Sequence, residues 1–432
     1  MNKKLSFILL ALSVLSILTA VYLLTCGTIK IGGPLLIVGF IALALGVRSF
    51  QSMKGFSYTF WIFTAVTASM FYPQFFVSIG DFQLKTLIVP LLQIIMFGMG
   101  SQMSLEDFTG VIKMPKGVLI GVGAHYLIMP LVGFGIAHIF NFPPEISAGI
   151  ILIGCVPSGL ASNVMSYIAR ANLALAVTIG AISTLLSPFV TPFLMKWLGG
   201  QYIEINFWSM MFDILNMIIL PIVAGFIFNL FSGAKMAKRS VIIQMVTYFV
   251  ILLLTNLVYM KSKQTGLNGF ITALTISLGW FFILPIFGAF LLKNLVKGDN
   301  HWMEKVLSFI SMLGITLIIT IITAAGRESL LKVGALLIVT SFLHNLTGYS
   351  LGYSISWLFG MPEKDRRTVA FEVGMQNGGL ASGLALQMGK LATVGLAPAI
   401  FGPLMNITGS ALATWWRGKI PIDDEKKDQN TY

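Results

Sequence analysis

Long apolar runs recur along the whole chain, each separated from the next by only a few polar residues. A helix that crosses the hydrocarbon of a bilayer needs about 20 such residues. The pattern therefore predicts about fourteen membrane-spanning helices joined by short connections. The predicted spans lie near residues 5–24, 31–47, 56–78, 84–102, 117–140, 147–169, 172–195, 208–231, 241–260, 268–292, 305–325, 333–359, 368–389 and 394–416.

Composition agrees with this pattern and narrows the class of protein. Hydrophobic residues make up 56% of the 432 residues and charged residues 10%, and the mean hydropathy is +0.87. The predicted fold class is therefore an all-α polytopic membrane protein. Cys26 and Cys155 give neither a disulfide framework nor metal-ligand spacing. Because no nucleotide loop, nucleophile elbow or metalloprotease motif occurs in the sequence, we do not expect an enzyme or a bound cofactor.

The formal net charge of +12 follows from topology and does not require nucleic acid as a partner. If the N-terminus is cytoplasmic, most of the 28 lysines and arginines fall in loops on the cytoplasmic side. Cytoplasmic loops of membrane proteins carry such an excess. We therefore predict a multi-pass protein of the cell (inner) membrane, with both termini in the cytoplasm. Its helices are expected to contact the lipid bilayer.

A polar interruption stands out within the span near 368–389. Glu372, Gln376 and Asn377 lie among four glycines in residues 369–383. A carboxylate in hydrocarbon is costly and usually faces a cavity or a partner. Glycines weaken the helix, and secondary transporters build ion sites from helices that break at mid-depth. The segment therefore predicts a broken helix and a binding site.

A second segment resembles the first. Gly159-Leu-Ala-Ser162 recurs as Gly379-Leu-Ala-Ser382, and a histidine precedes each copy at a similar distance, His125 in one case and His344 in the other. Pro157 should break the earlier helix as well. Because each copy has five spans, an odd number, the second copy enters the membrane from the opposite face, and the two copies form inverted repeats. Their ten helices would form a panel part and a core part, with the two discontinuous helices crossing at the midplane. The predicted divisions are 1–55 (two extra N-terminal helices), 56–198 (first repeat), 208–231 with 303–416 (second repeat), 238–293 (inserted hairpin) and 417–432 (charged tail).

The two broken helices supply oxygen ligands of the kind that bind a small hard cation such as sodium. Asn377 and Asn406 could donate hydrogen bonds to an anionic substrate, which half-helix N-termini would also favour. A lone histidine such as His125 is more often a packed, hydrogen-bonded residue than a ligand. The candidate oxygen donors are Ser158, Ser162, Asn163, Glu372, Gln376, Asn377 and the freed carbonyls of Val373 and Met375.

These segments resemble the bile acid:sodium symporter family. The motifs that carry the resemblance are Met96-Phe-Gly-Met-Gly100, Leu105-Glu-Asp-Phe108, Pro157-Ser-Gly-Leu-Ala-Ser-Asn163, Ser183-Thr-Leu-Leu-Ser-Pro188, Glu372-Val-Gly-Met-Gln-Asn377 and Asn406-Ile-Thr-Gly409. The resemblance implies sodium-coupled symport of a small organic anion, either bile-acid-like or keto-acid- or pantoate-like, by alternating access. It also implies two sodium sites, one at Ser162, Asn163 and Glu372 and one at Glu372, Val373, Met375 and Gln376, with substrate at Asn377 and Asn406.

Four positions depart from the pattern of that family. Ala176 and Gly180 stand where it usually has serine and threonine ligands, and His125 stands at the glutamine of the second cation site. Leu160, beside Ser158 and the substrate, replaces a threonine. Two further readings therefore stay open: transport that is uncoupled or coupled to H⁺ through His125 and Glu372, and a membrane sensor that has kept the fold without transport.

Overall fold

The computed structural model describes residues 3–50, 56–233 and 301–421, and helices dominate them. Within these ranges seven helices are long and apolar enough to cross a membrane, and four shorter apolar helices accompany them. The predicted spans 241–260 and 268–292, and most of the predicted tail, lie outside the described residues. The structure is thus that of an all-α polytopic membrane protein, as predicted.

Two compact units make up the chain, and each is described by itself. The first comprises Met1–Pro90, Asp107–Ile214 and Met312–Tyr432, and the second comprises Leu91–Glu106 and Leu215–Ser311. All the residues predicted to bind cation or substrate belong to the first unit.

The N-terminal helices of the first unit form a tightly packed pair. Helix α1 (Lys3–Thr25) turns at Gly27, which has a positive φ of 78°, into α2 (Ile29–Gly46). Large apolar side chains of α1 fill the space that glycines of α2 leave, which permits close approach of the two backbones. Leu24 lies over Gly32, Ile17 over Gly39 and Leu10 over Gly46.

The third predicted span is shorter than the apolar run suggested. Helix α3 (Phe56–Phe71) ends just before Pro73, because proline cannot continue a helix and restricts the residue that precedes it. A short helix α4 (Gln74–Val77) follows, and then a two-stranded antiparallel hairpin. The hairpin consists of β1 (Ser78–Ile79) and β2 (Phe82–Gln83).

The next segment begins with a 3₁₀ turn at Leu84–Leu87 and continues as α5 (Ile88–Gly100). A helix that the span pattern did not predict, α6 (Leu105–Lys113), lies between this span and α7 (Pro115–Ile139). Helix α6 contains no long apolar run, because polar and apolar residues alternate within it at helical spacing.

The span predicted near 147–169 is divided into two helices. Helix α8 (Pro144–Cys155) stops before Pro157, and α9 (Ala161–Ile168) begins after Gly159. Helix α10 (Leu173–Leu194) then continues into a π-helical turn at Met195–Gly199. The break predicted from Pro157 is therefore present.

The span predicted near 208–231 is a helix with a π-helical insertion. It consists of α11 (Phe207–Ile214), a π turn (Leu215–Ile219) and α12 (Leu220–Gly233). Helices α13 (His301–Ala325) and α14 (Arg327–Leu358) follow the undescribed stretch.

The span predicted near 368–389 is also divided in two. Helix α15 (Glu363–Gly374) and α16 (Gly378–Gln387) are separated by three residues, and α17 (Leu396–Arg417) completes the described chain. This second break has the same setting as the first, since each follows a long helix and a short reversal.

Positive φ angles mark matching reversals in the two halves. Asn141 after α7 has φ 48° and Gly360 after α14 has φ 65°. Arg170 after α9 has φ 55°, and Gly389 after α16 has φ 70°. Such angles are uncommon for residues other than glycine, so Asn141 and Arg170 are unusual residues for these two turns.

Candidate functional site

The two broken helices cross where their helical conformation stops. Ser158 and Gln376 pair there as an antiparallel β-bridge. Gly159 N donates to Met375 O at 3.1 Å, and Asn377 N donates to Pro157 O at 2.9 Å. The extended segments thus satisfy each other's backbone groups in the interior, where unpaired groups are costly.

Local sequence explains why the chain takes this course. A Cβ on Gly159 would lie 2.6 Å from the carbonyl oxygen of Gln376, so only glycine fits at that point of the crossing. The side chain of Asn377 accepts from Leu380 N at 3.0 Å and caps α16. Ser162 Oγ donates to Gly159 O at 2.7 Å at the start of α9. The crossing is therefore built from side chains that begin helices and a glycine that permits contact.

Replacement of Gly159 by alanine should disrupt the crossing. The added methyl group meets a backbone oxygen, which cannot move away by rotation as a side chain could, so the pair must separate. We expect a loss of ~1–3 kcal/mol of stability, typical of overpacking. The measurement is thermal unfolding of the purified protein in detergent.

Gly378→Ala is the matched control, because its added Cβ meets Pro398 O and Gly402 Cα at the ordinary distances of 3.5 and 3.9 Å. Equal melting temperatures for the Gly159→Ala and Gly378→Ala variants would contradict the proposed role of the close approach at Gly159.

Glu372 lies beside the crossing and is completely buried. Within the described part of the chain, neither of its carboxylate oxygens has a hydrogen-bond partner. The hydroxyls of Ser158 and Ser162 lie near the carboxylate without meeting hydrogen-bond geometry. The carboxylate also faces Gly180, where an added Cβ would lie 3.6 Å from Oε2. A buried carboxylate without partners is costly, so this position calls for a cation or a proton.

Other oxygen atoms close to the crossing share this condition. Asn163 Oδ1 and Gln376 Oε1 are buried and have no hydrogen-bond partner among the described residues. Gln376 Nε2 donates to Val373 O at 2.7 Å, which orients the amide. Unpartnered oxygens on both broken helices are the arrangement expected of a site for a hard cation.

His125 joins the two crossing segments through its ring. Its Nδ1 lies 2.8 Å from Glu372 O and its Nε2 lies 2.9 Å from Val156 O. The side chain is completely buried, and the ring packs edge-on against Tyr126 at 5.0 Å between centroids. The histidine is thus a packed residue whose two ring nitrogens both lie within 3 Å of backbone carbonyl oxygens, and in a neutral ring one of the two donates.

Three of the residues predicted to meet substrate, Ser158, Leu160 and Asn377, lie at the crossing, and Asn406 lies on α17. Leu160 is 37% exposed, whereas Asn377 is 9% and Ser158 3% exposed. Asn406 is partly buried, and its Nδ2 donates to Gly402 O at 3.1 Å. Leu160 is therefore the most open of the four.

Sequence reasoning missed Asn345, which is completely buried on α14. Its Nδ2 donates to Gly374 O at 2.8 Å, and its Oδ1 accepts from the hydroxyl of Thr408. Asn345 thereby holds the last carbonyl of α15 where that helix stops. The sequence signal for this residue was an amide side chain directly after His344, inside an apolar run.

Met405 was also missed. Its sulfur accepts from Gln376 N at 3.4 Å, and its carbonyl accepts from the Tyr349 hydroxyl at 3.2 Å. A thioether is a weak acceptor that sequence inspection does not suggest as a partner. Tyr349 also packs against Gly374, where an added Cβ would lie 2.2 Å from the ring. Helix α17 therefore supports the second break from one side.

Comparison with known proteins identifies the group to which these features belong. The chain is 31% identical over 375 residues to an uncharacterized sodium-dependent transporter, YocS, of Bacillus subtilis (strain 168), covering 87% of this chain and 95% of the relative. The model of the sodium bile acid symporter family matches residues 89–268. The chain belongs to the sodium bile acid symporter family. The predicted resemblance is thus confirmed.

Plant relatives of the sodium bile acid symporter family are more distant. The chain is 28% identical over 330 residues to the Arabidopsis thaliana protein named Probable sodium/metabolite cotransporter BASS1, chloroplastic, with 76% of this chain and 66% of the relative covered. The corresponding Oryza sativa protein is 26% identical over 392 residues, with 90% of this chain and 78% of the relative covered. Membership places the chain among multi-pass secondary transporters that use sodium and carry small molecules.

The sodium on which this family depends fits the residues of the first predicted site. Glu372 brings two unpartnered carboxylate oxygens and Asn163 an unpartnered amide oxygen. Ser162 uses its hydroxyl hydrogen toward Gly159 O, which leaves oxygen lone pairs for a ligand. These donors are of the hard oxygen type that suits sodium and would hold the ion at the crossing.

Proposed function

We propose that this protein is a sodium-coupled symporter of an organic anion, with Glu372 as the residue that holds the coupling ion. The observation that carries the proposal is the buried, unpartnered carboxylate of Glu372 beside two interrupted helices. A carboxylate in that position is stable as an anion only when a cation accompanies it. Sodium therefore fills the role of a partner that enters and leaves with substrate.

The preference for an anionic substrate rests on the ends of the half-helices. Helices α9 and α16 both begin at the crossing, and helix N-termini favour negative charge. Asn377 already caps α16 through its oxygen, so its amide nitrogen is left to donate to a ligand. Asn406, Ser158 and Leu160 complete the proposed substrate side, with Leu160 favouring an apolar portion of the anion.

Alternating access around the crossing is the proposed mechanism. Both inverted five-helix repeats, 56–198 and 208–231 with 303–416, would contribute helices to a core and to a panel. The core, which contains the crossing, would move against the panel while the crossing stays intact. The paired backbone of the crossing supports this mechanism, since its hydrogen bonds hold the two segments together. We propose the cell membrane as the location, with both termini cytoplasmic as the lysine and arginine distribution favours.

Uptake into proteoliposomes tests the proposal. Candidate anions are bile acids, keto acids and pantoate, each offered under an inward sodium gradient, under a pH gradient and without either. We expect accumulation of at least one class of anion only under the sodium gradient. Accumulation driven by the pH gradient alone would replace sodium with H⁺ as the coupling ion. Absence of uptake of any candidate under all three conditions would favour a non-transporting sensor.

A further inference from the structure

Among the four half-helices of the described chain, α9 alone exposes large side chains in successive turns. Leu160, Val164 and Tyr167 are 37, 55 and 72% exposed. Their spacing of four and three residues places them on one face of the helix. Helix α8, in contrast, is buried from Ile146 to Cys155. An exposed, apolar face of α9 therefore leads from the crossing to the far end of that helix.

A cation in an unfavourable backbone conformation follows this face. Arg170 has a φ of 55°, which lies in the left-handed region. Two hydrogen bonds close the helix around it, from Arg170 N to Tyr167 O at 3.3 Å and from Ala171 N to Ser166 O at 2.9 Å. Glycine is the usual residue at such a position, because a Cβ makes this conformation costly. The backbone gives no reason for an arginine here.

The turn after α16 has the same hydrogen bonds and does contain glycine. Gly389 N donates to Leu386 O at 2.8 Å, and Lys390 N donates to Ala385 O at 2.9 Å. Gly389 has a φ of 70°. The turn after α9 thus has an arginine, at a conformational cost, in a position that glycine fills in an equivalent turn. Strain of this kind in a residue other than glycine is often associated with function.

The charge of Arg170 is not neutralised within the described chain. The side chain is exposed, and no ion pair or side-chain hydrogen bond joins it to another described residue. Helix α15 packs against α9, and the acidic residues of its first turn have other partners. Glu363 Oε1 accepts from Arg367 at 2.6 Å, and Asp365 Oδ1 accepts from Asn172 Nδ2 at 2.8 Å. A guanidinium is therefore available to a ligand where the α9 face ends.

Membrane topology alone does not account for this charge. Basic residues on the cytoplasmic side orient a membrane protein, but that role does not depend on one particular position in a turn. Lys364 and Arg366 also lie on the side that the sequence predicts to be cytoplasmic. Among the described residues, Arg170 is the only basic residue with a positive φ. Its position calls for a reason beyond topology.

We propose that Arg170 recognises the negatively charged group of the substrate where the exposed face of α9 ends. Leu160, Val164 and Tyr167 contact the apolar portion of the same anion along that face. A guanidinium suits this task, because its donors match the oxygens of a carboxylate or a sulfonate. The assignment rests on the proposed function, which it deepens by naming the residue that meets the charge of the anion.

Rates of thiol modification measure the charge of this surface without any substrate. The reporter is Tyr167→Cys in a Cys26→Ser background, since Cys26 is exposed and Cys155 is buried. The two reagents are methanethiosulfonates, one with a sulfonate and one with a trimethylammonium group. A unit charge about 8 Å away in water changes the ratio of their rates about fivefold. We expect Arg170→Gly to lower the anion-to-cation ratio by about that factor at low salt, and Arg170→Lys to keep it.

Ile139→Cys is the control reporter for these rates. Ile139 is exposed at the end of α7, and the opposite end of α7 follows Met114, which contacts Asn172 near Arg170. The ratio at Ile139→Cys should not respond to Arg170→Gly, because the two positions are separated by the length of the helix. High salt should weaken the effect at Tyr167→Cys.

Calorimetry with cholate, pyruvate and pantoate in sodium chloride connects this charge to substrate binding. For each anion that binds, Arg170→Gly and Arg170→Gln should raise Kd about fivefold, the effect of two charges about 4 Å apart in water. Arg170→Lys should retain most of the affinity. The melting temperature of Arg170→Gly should not fall, because glycine adopts the left-handed conformation without a steric cost. Asn141→Gly is the matched control, since Asn141 also has a positive φ, and it should change neither Kd nor the rate ratio.

An unchanged rate ratio at Tyr167→Cys in Arg170→Gly would overturn the proposal, and so would an unchanged Kd. Equal losses of affinity in Arg170→Gly and Arg170→Lys would also overturn it, because charge would not be the property that matters. Binding of none of the three anions would instead defeat the proposed function and, with it, the recognition role of Arg170. The two failures are distinguishable, because the thiol rates do not depend on substrate.

Discussion

Glu372→Gln is expected to abolish sodium binding and sodium-driven accumulation while the protein stays folded. The substitution keeps the size of the side chain and removes its charge. Two unit charges about 4 Å apart attract each other by about 4 kcal/mol at an effective dielectric constant of about 20. Loss of that attraction corresponds to about a thousandfold weaker binding. Calorimetry with sodium chloride measures the affinity, and thermal unfolding shows whether the fold is retained.

Two positions at which the family usually carries ligands cannot take over the role of Glu372. The carboxylate faces Gly180, which has no side chain, and Ala176 likewise brings no oxygen. Removal of the buried charge should also leave the ion-free protein as stable as before or more stable, because an uncompensated carboxylate is costly to bury.

Glu328→Gln provides the matched control for the Glu372 variant. Glu328 is an exposed glutamate in the first turn of α14, outside the crossing. Its substitution should change neither sodium affinity nor melting temperature measurably. Sodium affinity retained in Glu372→Gln would remove Glu372 from the cation site and, with it, the main support for the proposed coupling.

The breaks in the two crossing helices could be predicted because their causes are local. Pro157 and Gly159 in one segment, and Glu372 with the glycines around it in the other, contradict a continuous apolar helix on their own. The structure has helix ends at Cys155 and Gly374, where these residues require them. The functional importance of Glu372 could also be predicted, because a charged residue within a membrane-length apolar run is rare.

The partners of the site could not be predicted in the same way. Asn345 reaches Gly374 O from a helix that is adjacent only in the folded chain. The sequence placed His125 at a ligand position, but which groups its two nitrogens face depends on the course of α8 and α15. Such contacts are set by tertiary packing rather than by periodicity, so a single sequence gives the residue types and leaves their pairing open.

Helix boundaries show a similar limit. The apolar run near 56–78 continues past the point where α3 ends, because hydropathy does not register the effect of Pro73 on the backbone. Helix α6 could not be predicted from apolar runs, because polar residues separate its apolar residues.

Arg367→Met should produce a large loss of stability. Arg367, in the first half of α15, is only 1% exposed. Its Nε and Nη2 donate to Glu363 Oε1 at 3.0 and 2.6 Å. Its Nη1 lies 3.0 Å from Ala169 O, 3.2 Å from Trp416 O and 3.1 Å from Lys419 O.

The three carbonyls explain why this cation is buried. Ala169 follows the last residue of α9, and Trp416 and Lys419 lie at the end of α17. Carbonyls at helix C-termini have no partner within the helix and carry partial negative charge. Arg367 supplies donors to both helix ends at once, and its guanidinium also lies 5.7 Å from the Trp416 ring centre. A methionine fills the space but leaves these acceptors and Glu363 without this cation.

We expect the free energy of unfolding to fall by ~3–5 kcal/mol in Arg367→Met, as when one partner of a buried ion pair is removed. Arg367→Lys should recover only part of this, because a single ammonium group cannot reach the carboxylate and the carbonyls together. Arg417→Met at the exposed end of α17 is the control and should shift stability by no more than about 0.5 kcal/mol. Thermal and denaturant unfolding in the same detergent measure all three variants.

A double variant separates the ion pair from the helix-end contacts. If most of the loss came from separating the Glu363 carboxylate from Arg367, Glu363→Gln would restore most of the stability of Arg367→Met. We expect only partial recovery, since the carbonyls at the ends of α9 and α17 still lack the guanidinium donors, although Trp416 O keeps its hydrogen bond from Lys419 N. Full recovery would show that Arg367 serves Glu363 alone. Equal stability of Arg367→Met and Arg417→Met would contradict the prediction. It would show that neither the ion pair with Glu363 nor the hydrogen bonds from Arg367 to the helix-end carbonyls stabilise the fold.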